Sequence, residues 1–328
     1  MLSFFRTNQL LASSLLIIYG LILHMAAFYV PDTWQPAGYG VFGDWTYRWI
    51  APKSIGAHLL VVVLLFIQGT TLNVIDFSNK LSRDFTLFPG VFLVLLASMA
   101  PSFLHLAPHH FANCFLLFAL AEVMNVYRKS RVADHLFNAG FYIGIATLWV
   151  PSYWVFILFL FFGLNVLRSF SIRERLVVSS GFLVVLFLTG TVYFLADRLP
   201  EFMDHQIRSA FVFWDVGQLS LFAWFHLGIL GLFLLTALFR YSQIMQKRIM
   251  QAQKKIDLFY WALLFGGLSL LVQPVAGETH ALVLVPALGI LTGMQFANME
   301  RRTAELMHFF LFLLALFFQW RVLFFQVG

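Results

Sequence analysis

The chain has 328 residues, 61% of them hydrophobic and only 11% charged, with a formal charge of +6. Soluble domains carry about 25% charged residues, so a water-facing globule is excluded and lipid must solvate much of this surface. The positive charge does not point to nucleic acid, because the Lys and Arg residues sit in short segments between apolar runs, where they orient membrane spans.

Crossing roughly 30 Å of hydrocarbon takes about 20 mostly apolar residues. About eleven runs are predicted to do so: 8–28, 55–75, 87–104, 109–127, 133–150, 152–167, 176–196, 218–240, 258–272, 281–297 and 305–325. The first is too long for a signal-peptide core and lacks a small-residue cleavage site, so it reads as a retained span. The polar, aromatic loop VPDTWQPAGYGVFGDWTYRW follows it. The fifth and sixth runs are separated only by Pro151, which predicts a tight hairpin or one broken helix. The ninth is short. No internal repeat is visible. The expectation is an all-α, polytopic integral membrane protein, with residues 1–328 forming a single transmembrane helical domain.

Charge gives this arrangement an orientation. With the N-terminus cytoplasmic, the outer segments hold only Arg48, Lys53, Arg198, Arg208 and Arg321 of the 21 basic residues. That asymmetry predicts an extracytoplasmic C-terminus. The histidines run the other way. His105, His109, His110, His205 and His280 fall at outer loops or helix ends, and His24, His58 and His226 in the outer halves of spans; only His135 and His308 lie on the inner side. Asp32, Asp44, Asp197, Glu201, Asp204, Asp215 and Glu278 are also outside.

Neutral imidazole and carboxylate are ligands for Zn or Mn and exchange protons near neutral pH. The spacing His105-x3-His109-His110 could set two rings on one face of a helix start, although Pro108 intervenes and there is no HExxH pattern. The plainer expectation is interfacial histidines at headgroup level, beside the Trp and Tyr of the aromatic belt. Asp32 and Asp44 have Trp34, Tyr39, Trp45 and Tyr47 as neighbours. Such a loop either binds a sugar ring and takes a hydroxyl proton, or is a solvated interfacial belt. Gln273, Pro274, Glu278 and His280 cluster at the junction of the ninth and tenth runs, which is either a polar hairpin turn or a broken helix lining a cavity.

Glu122, inside the fourth run, is expected to pair with Arg128 or Lys129 near the inner interface. Asn113 lies one turn from His109 and His110. Cys114, the single cysteine, can form no intrachain disulfide and is expected to be a buried, inert thiol. The linker QKRIMQAQKK is basic and amphipathic, suited to anionic headgroups. There is no Walker-type loop and no dinucleotide-binding glycine pattern, which argues against ATP-driven chemistry by this chain alone.

Two stretches carry a resemblance: LAPHHFANCFLLFAL (106–120) and FNAGFYIGIATLWVPSYWVFILFLFFGLNVLRSFSIRERLVVSSGF (137–182). Both are similar to an uncharacterised family of polytopic inner-membrane proteins from Bacteroidota. That resemblance implies a cell inner membrane location and no established activity. The layout also resembles membrane glycosyltransferases that use polyprenyl-phosphate sugars, which implies an outward-facing site. On that reading Asp32 or Asp44 is the catalytic base, while His105, His109, His110, Asn113, Glu278 and His280 bind substrate, phosphate or metal. The partners are membrane lipid and a polyprenyl-phosphate-linked saccharide. A second hypothesis is a non-catalytic subunit docking other membrane or periplasmic proteins, and a third is a transporter built on Glu122, Asn113 and Pro151. No cofactor is named by any motif.

Overall fold

The computed structural model describes residues 2–6, 10–29, 40–51, 53–213, 219–246, 248–272 and 277–325, with side chains at all of these but 10, 11 and 322–325. It is all-helical, with no strand among the described residues. In chain order the helices are α1 (Leu10–Leu23), α2 (Ala26–Tyr29), α3 (Val41–Trp49), α4 (Ile55–Asn79), α5 (Phe88–Leu96), α6 (Pro108–Met124), α7 (Ala133–Trp149) and α8 (Val155–Leu167). There follow α9 (Ile172–Leu195), α10 (Leu199–Phe202), α11 (Leu221–Phe239), α12 (Tyr241–Met245), α13 (Met250–Leu270), α14 (Val285–Ala297) and α15 (Arg301–Phe325).

Six helical stretches are long and apolar enough to cross a membrane: Ala12–Tyr29, Ile55–Asn79, Ile172–Leu195, Leu221–Phe239, Glu278–Ala297 and Arg301–Arg321. The other predicted spans are helical but differ from that standard. The third is only the nine-residue α5, because Ser98 turns its hydroxyl back onto the Val94 carbonyl (2.7 Å) and Pro101 then starts a 3-10 turn. The fourth and fifth, α6 and α7, have 17 residues each. Pro151 opens a 3-10 turn, Pro151–Trp154, between α7 and α8. The ninth begins earlier than predicted, at Met250, and so carries Lys254, Lys255 and Asp257 on its first turns.

The centre of the bundle is α5 packed along α14. All nine residues of α5 are buried, as is every residue from Thr279 to Phe296. In lipid the apolar effect cannot drive two helices together, so close backbone approach through small residues has to do it. Gly289 and Gly293, four residues apart, supply that approach: a β-carbon on Gly289 would lie 2.9 Å from the Leu93 α-carbon, and one on Gly293 2.6 Å from the Pro89 nitrogen. On the other side of α5, Gly90 meets Gly69 of α4, and its amide donates to the Asn73 Oδ1 at 2.8 Å. A second glycine crossing joins α7 to α9, where Gly140 and Gly144 face Val178, Phe182 and Val185, and Gly181 faces Phe137 and Phe141. The outward faces of α9 and α15 are apolar, with Leu183, Phe187, Leu188, Phe194, Phe309, Phe310 and Phe317 all exposed. Lipid suits that surface and water does not.

α14 and the 3-10 turn before it (Glu278–Leu284) run from Glu278 and His280 at one end to Gln295 and Asn298 at the other. These are called below the histidine end and the basic end.

Candidate functional site

The histidine end contains a polar network shut inside the helices. His109, on the first turn of α6 just after Pro108, bonds through Nε2 to His280 Nδ1 at 2.9 Å. The Nε2 of His280 in turn meets the hydroxyls of Ser152 (3.2 Å) and Ser269 (3.1 Å), and Ser269 also donates to Ser152 at 3.3 Å. One turn along α6, Asn113 donates to the Leu282 carbonyl (2.8 Å) and accepts from the Tyr153 hydroxyl (2.7 Å). His109, His280, Ser152, Ser269 and Tyr153 are each 0% exposed. The network ties α6, α13, the Pro151 turn and the turn before α14 to one another. Each of its bonds satisfies a group that hydrocarbon would leave unpaired at a cost of several kcal/mol.

The expectation of histidines resting among lipid headgroups is therefore corrected. His24, His58, His105, His109, His110, His226 and His280 are all buried. His105, His109, His110 and His280 are inside because prolines and 3-10 turns at this end bring short polar segments between the helices, whereas His58 and His226 are buried residues of α4 and α11 themselves. The expectation of a plain hairpin turn at 277–280 is corrected as well. Thr279 to Leu284 form a buried 3-10 turn leading straight into α14, and Gln273 and Pro274 lie outside the described residues.

A second cluster adjoins the first. His110 Nε2 meets the His105 carbonyl at 3.2 Å, while the His110 carbonyl accepts from Gln68 Nε2 at 2.7 Å. The Cys114 thiol donates to the same carbonyl at 3.3 Å and is buried, as expected of an inert thiol. The rings of His58 and His105 meet edge to face, 5.5 Å apart, and His24 Nδ1 lies 3.1 Å from the Gly20 carbonyl, which forces its donor tautomer.

The third cluster has the arrangement best suited to chemistry. Glu278 opens the turn before α14. Its Oε2 accepts from His226 Nδ1 on α11 at 2.8 Å, and its Oε1 accepts from the Ser102 hydroxyl at 2.6 Å. Because a carboxylate only accepts, His226 donates from Nδ1, which leaves Nε2 as the ring nitrogen turned away from Glu278. His226 is 2% exposed, and its Nε2 has no hydrogen-bond partner among the described residues. Arg321 of α15 stacks on Phe222, with its guanidinium carbon 3.8 Å from the ring centroid. One of its terminal nitrogens, Nη1, is buried and likewise without a partner among the described residues. An oriented imidazole base, a carboxylate holding it and an unspent guanidinium donor thus share one small region.

The proposed catalytic pair is not assembled in this region. Asp32 lies outside the described residues. Asp44, on the first turn of α3, pairs through Oδ2 with His205 Nδ1 at 2.7 Å, and His205 is half exposed. No group of three or more His, Cys, Asp or Glu among the described residues is placed to hold a metal ion, so the Zn or Mn centre suggested by the residue types has no ligand set here. Near the basic end, Glu122 pairs with His135 Nδ1 at 2.5 Å rather than with Arg128 or Lys129, and Lys129 reaches the other ring nitrogen at 3.4 Å. The chain reverses tightly through Arg128, whose φ of 56° turns it away, and α7 then brings His135 back over Glu122.

Three members of the third cluster, His226, Ser102 and Arg321, were not assigned a role from the sequence. Arg321 did leave a signal, as a cation inside an apolar run and against the charge bias, a combination that marks a functional group in a membrane. Ser102, Ser152 and Ser269 left none. No protein-family model, no curated protein and no solved structure matches this chain.

Proposed function

We propose that this is a multi-pass protein of the cell inner membrane, with about eleven spans, a cytoplasmic N-terminus and an extracytoplasmic C-terminus. We further propose that it transfers a saccharide from a polyprenyl-phosphate carrier to a hydroxyl acceptor at its histidine end. The orientation rests on the charge asymmetry of the loops. The chemistry rests on one observation: the buried His226, held by Glu278 with its Nε2 unengaged among the described residues.

In the proposed reaction the acceptor hydroxyl gives its proton to His226 Nε2 as its oxygen forms a bond to the anomeric carbon of the sugar. The bond from that carbon to the carrier phosphate breaks, and its electron pair leaves on the phosphate. Arg321 stands where it can offset the charge of that phosphate, and Glu278 stabilises the imidazolium that forms. A positioned base of this kind contributes about 10²–10⁴-fold to a rate. The base is placed on His226 rather than Asp44 because Asp44 is engaged by His205 in a partly exposed pair.

The test compares the lipid-linked saccharides and envelope glycans of cells carrying the wild type, His226→Gln or Glu278→Gln, read by mass spectrometry. A fluorescent fusion normalises the amount of protein in the membrane. The expected result is loss of one glycan product and accumulation of its lipid-linked donor in both variants at normal protein levels. Unchanged glycans and donor pools in both variants sink the proposal. If the variants instead lose a co-purifying partner, the non-catalytic subunit reading takes its place.

A further inference from the structure

The basic end holds a cavity that the proposed transfer reaction does not use. It measures about 180 Å³ and is lined by Arg83, Arg240, Arg248, Gln243, Gln295 and Asn298, among others. Holding one water takes about 10–15 Å³ on this measure, so there is room for several waters and for a phosphate group. Its walls come from separate parts of the chain: the α4–α5 connection supplies Arg83, the end of α11 and α12 supply Arg240 and Gln243, and the end of α14 supplies Gln295 and Asn298.

Two observations mark it as more than a collection of orienting charges. None of the three guanidiniums makes a contact ion pair among the described residues, although Asp76 and Asp84 act on Arg248 from a longer range. Gln295 is 7% exposed, lines the cavity, and its buried Nε2 has no partner among the described residues. An amide N–H in that position wants an acceptor. Helix C-termini attract cations, which would account for Arg240 at the end of α11. The same attraction would not leave a buried donor empty, and the last carbonyls of α14 are already met by the Asn298 amide. Burial pushes the Arg248 guanidinium below its ordinary value, with Asp76 and Asp84 partly offsetting the effect and Arg83 adding to it. Asp76 is itself engaged by the Ser82 amide at 2.7 Å.

We propose that this cavity is a binding site for a phosphate group, carried either by an anionic lipid headgroup or by a small soluble phosphate. Three planar guanidiniums match the oxygens of phosphate in a way that a chloride or a carboxylate does not exhaust, and the Gln295 amide supplies a fourth direction.

The experiment uses the full chain in phosphatidylcholine nanodiscs, with thermal unfolding as the readout. One arm adds phosphatidylglycerol to the nanodisc, and the other adds inorganic phosphate to the buffer against matched chloride. Arg83→Gln and Arg240→Gln alter exposed side chains and leave the fold intact; Gln295→Leu removes the buried donor. Wild-type unfolding is expected to shift upward in one arm, with apparent affinity falling about tenfold in each variant, the usual worth of a charged hydrogen bond. A shift only with phosphatidylglycerol identifies a lipid headgroup, and a shift with inorganic phosphate identifies a soluble anion. No shift in either arm overturns the proposal, as does a shift equally large in wild type and in all three variants. Neither outcome depends on the transfer activity, which is read from cellular glycans.

Discussion

The glycine crossing of α7 and α9 can be tested by adding a single methyl group. A β-carbon on Gly140 would lie 2.9 Å from the Val178 carbonyl carbon, closer still to its oxygen, and 3.1 Å from the Phe182 amide nitrogen. On Gly181 it would lie 3.0 Å from both the Phe137 carbonyl carbon and the Phe141 amide nitrogen. These obstacles are backbone atoms, so no rotamer change clears them and the two helices must separate. A radial gap of 0.5–1 Å already forfeits a quarter to a half of each dispersion contact, and overpacking of this kind costs about 1–3 kcal/mol. Gly228 and Gly231 on α11 are controls, since a β-carbon at either meets nothing within 4 Å. There, Gly→Ala gains up to about 1 kcal/mol of helix propensity. That gain is common to both helices, so the expected gap between Gly140→Ala and Gly228→Ala is the overpacking cost, about 1–3 kcal/mol. Reversible unfolding of the full chain in mixed dodecylmaltoside and dodecyl sulfate micelles measures it. If Gly140→Ala and Gly181→Ala unfold alongside Gly228→Ala, the close approach of α7 and α9 is wrong.

Three further outcomes follow from the polar contacts. His280→Leu strands His109 Nε2, and it removes from the Ser152 and Ser269 hydroxyls a bond they now share. It should cost about 1–3 kcal/mol in the same unfolding assay, and destabilisation below about 0.5 kcal/mol would contradict the network. Tyr153→Phe and Asn113→Leu share one hydrogen bond, so a double-mutant cycle should return a coupling of about 0.6–2 kcal/mol; additive effects would separate the two residues. Glu122→Gln should cost less than about 1 kcal/mol, because the Glu122–His135 pair is partly exposed, and a larger loss would mean Glu122 serves a buried partner.

Helix positions were largely legible from apolar runs, because lipid permits only helices with internally satisfied backbones at this composition. Their lengths were less so. The shortness of α5 depends on Ser98 bonding back to Val94 and on Pro101, and a run of leucines passes smoothly through both in hydropathy. The glycine pairs Gly140/Gly144 and Gly289/Gly293 were present as a four-residue spacing, yet which helices they join depends on a third glycine elsewhere in the chain, Gly181 for the first pair, and on Leu93 and Pro89 for the second. The gathering of histidines at one end was visible, but their burial was not, since the same residue pattern serves a headgroup belt. The partnership of His109 with His280 spans 171 positions, and no local pattern carries that information. Glu278 was picked out from its junction; His226 and Ser102, which give it meaning, lie on other elements.

The two polar centres stand at opposite ends of one buried stretch, and this bears on the transport hypothesis. From His280 the chain advances as a 3-10 turn at about 2.0 Å per residue and then as α14 at about 1.5 Å per residue, so Gln295 sits about 25 Å along, most of a hydrocarbon thickness. Between them, Leu288, Ile290 and Leu291 of α14 and Phe92, Leu93 and Val94 of α5 are all within 1% of complete burial. A solute moving from one centre to the other would have to part α5 from α14 at Gly289 and Gly293, where backbone lies against backbone and no polar side chain but Thr292 interrupts the seam. Opening it would forfeit the closest packing in the centre of the bundle without offering the solute a ligand. As it stands, the seam between α5 and α14 is therefore closed to a solute along its length.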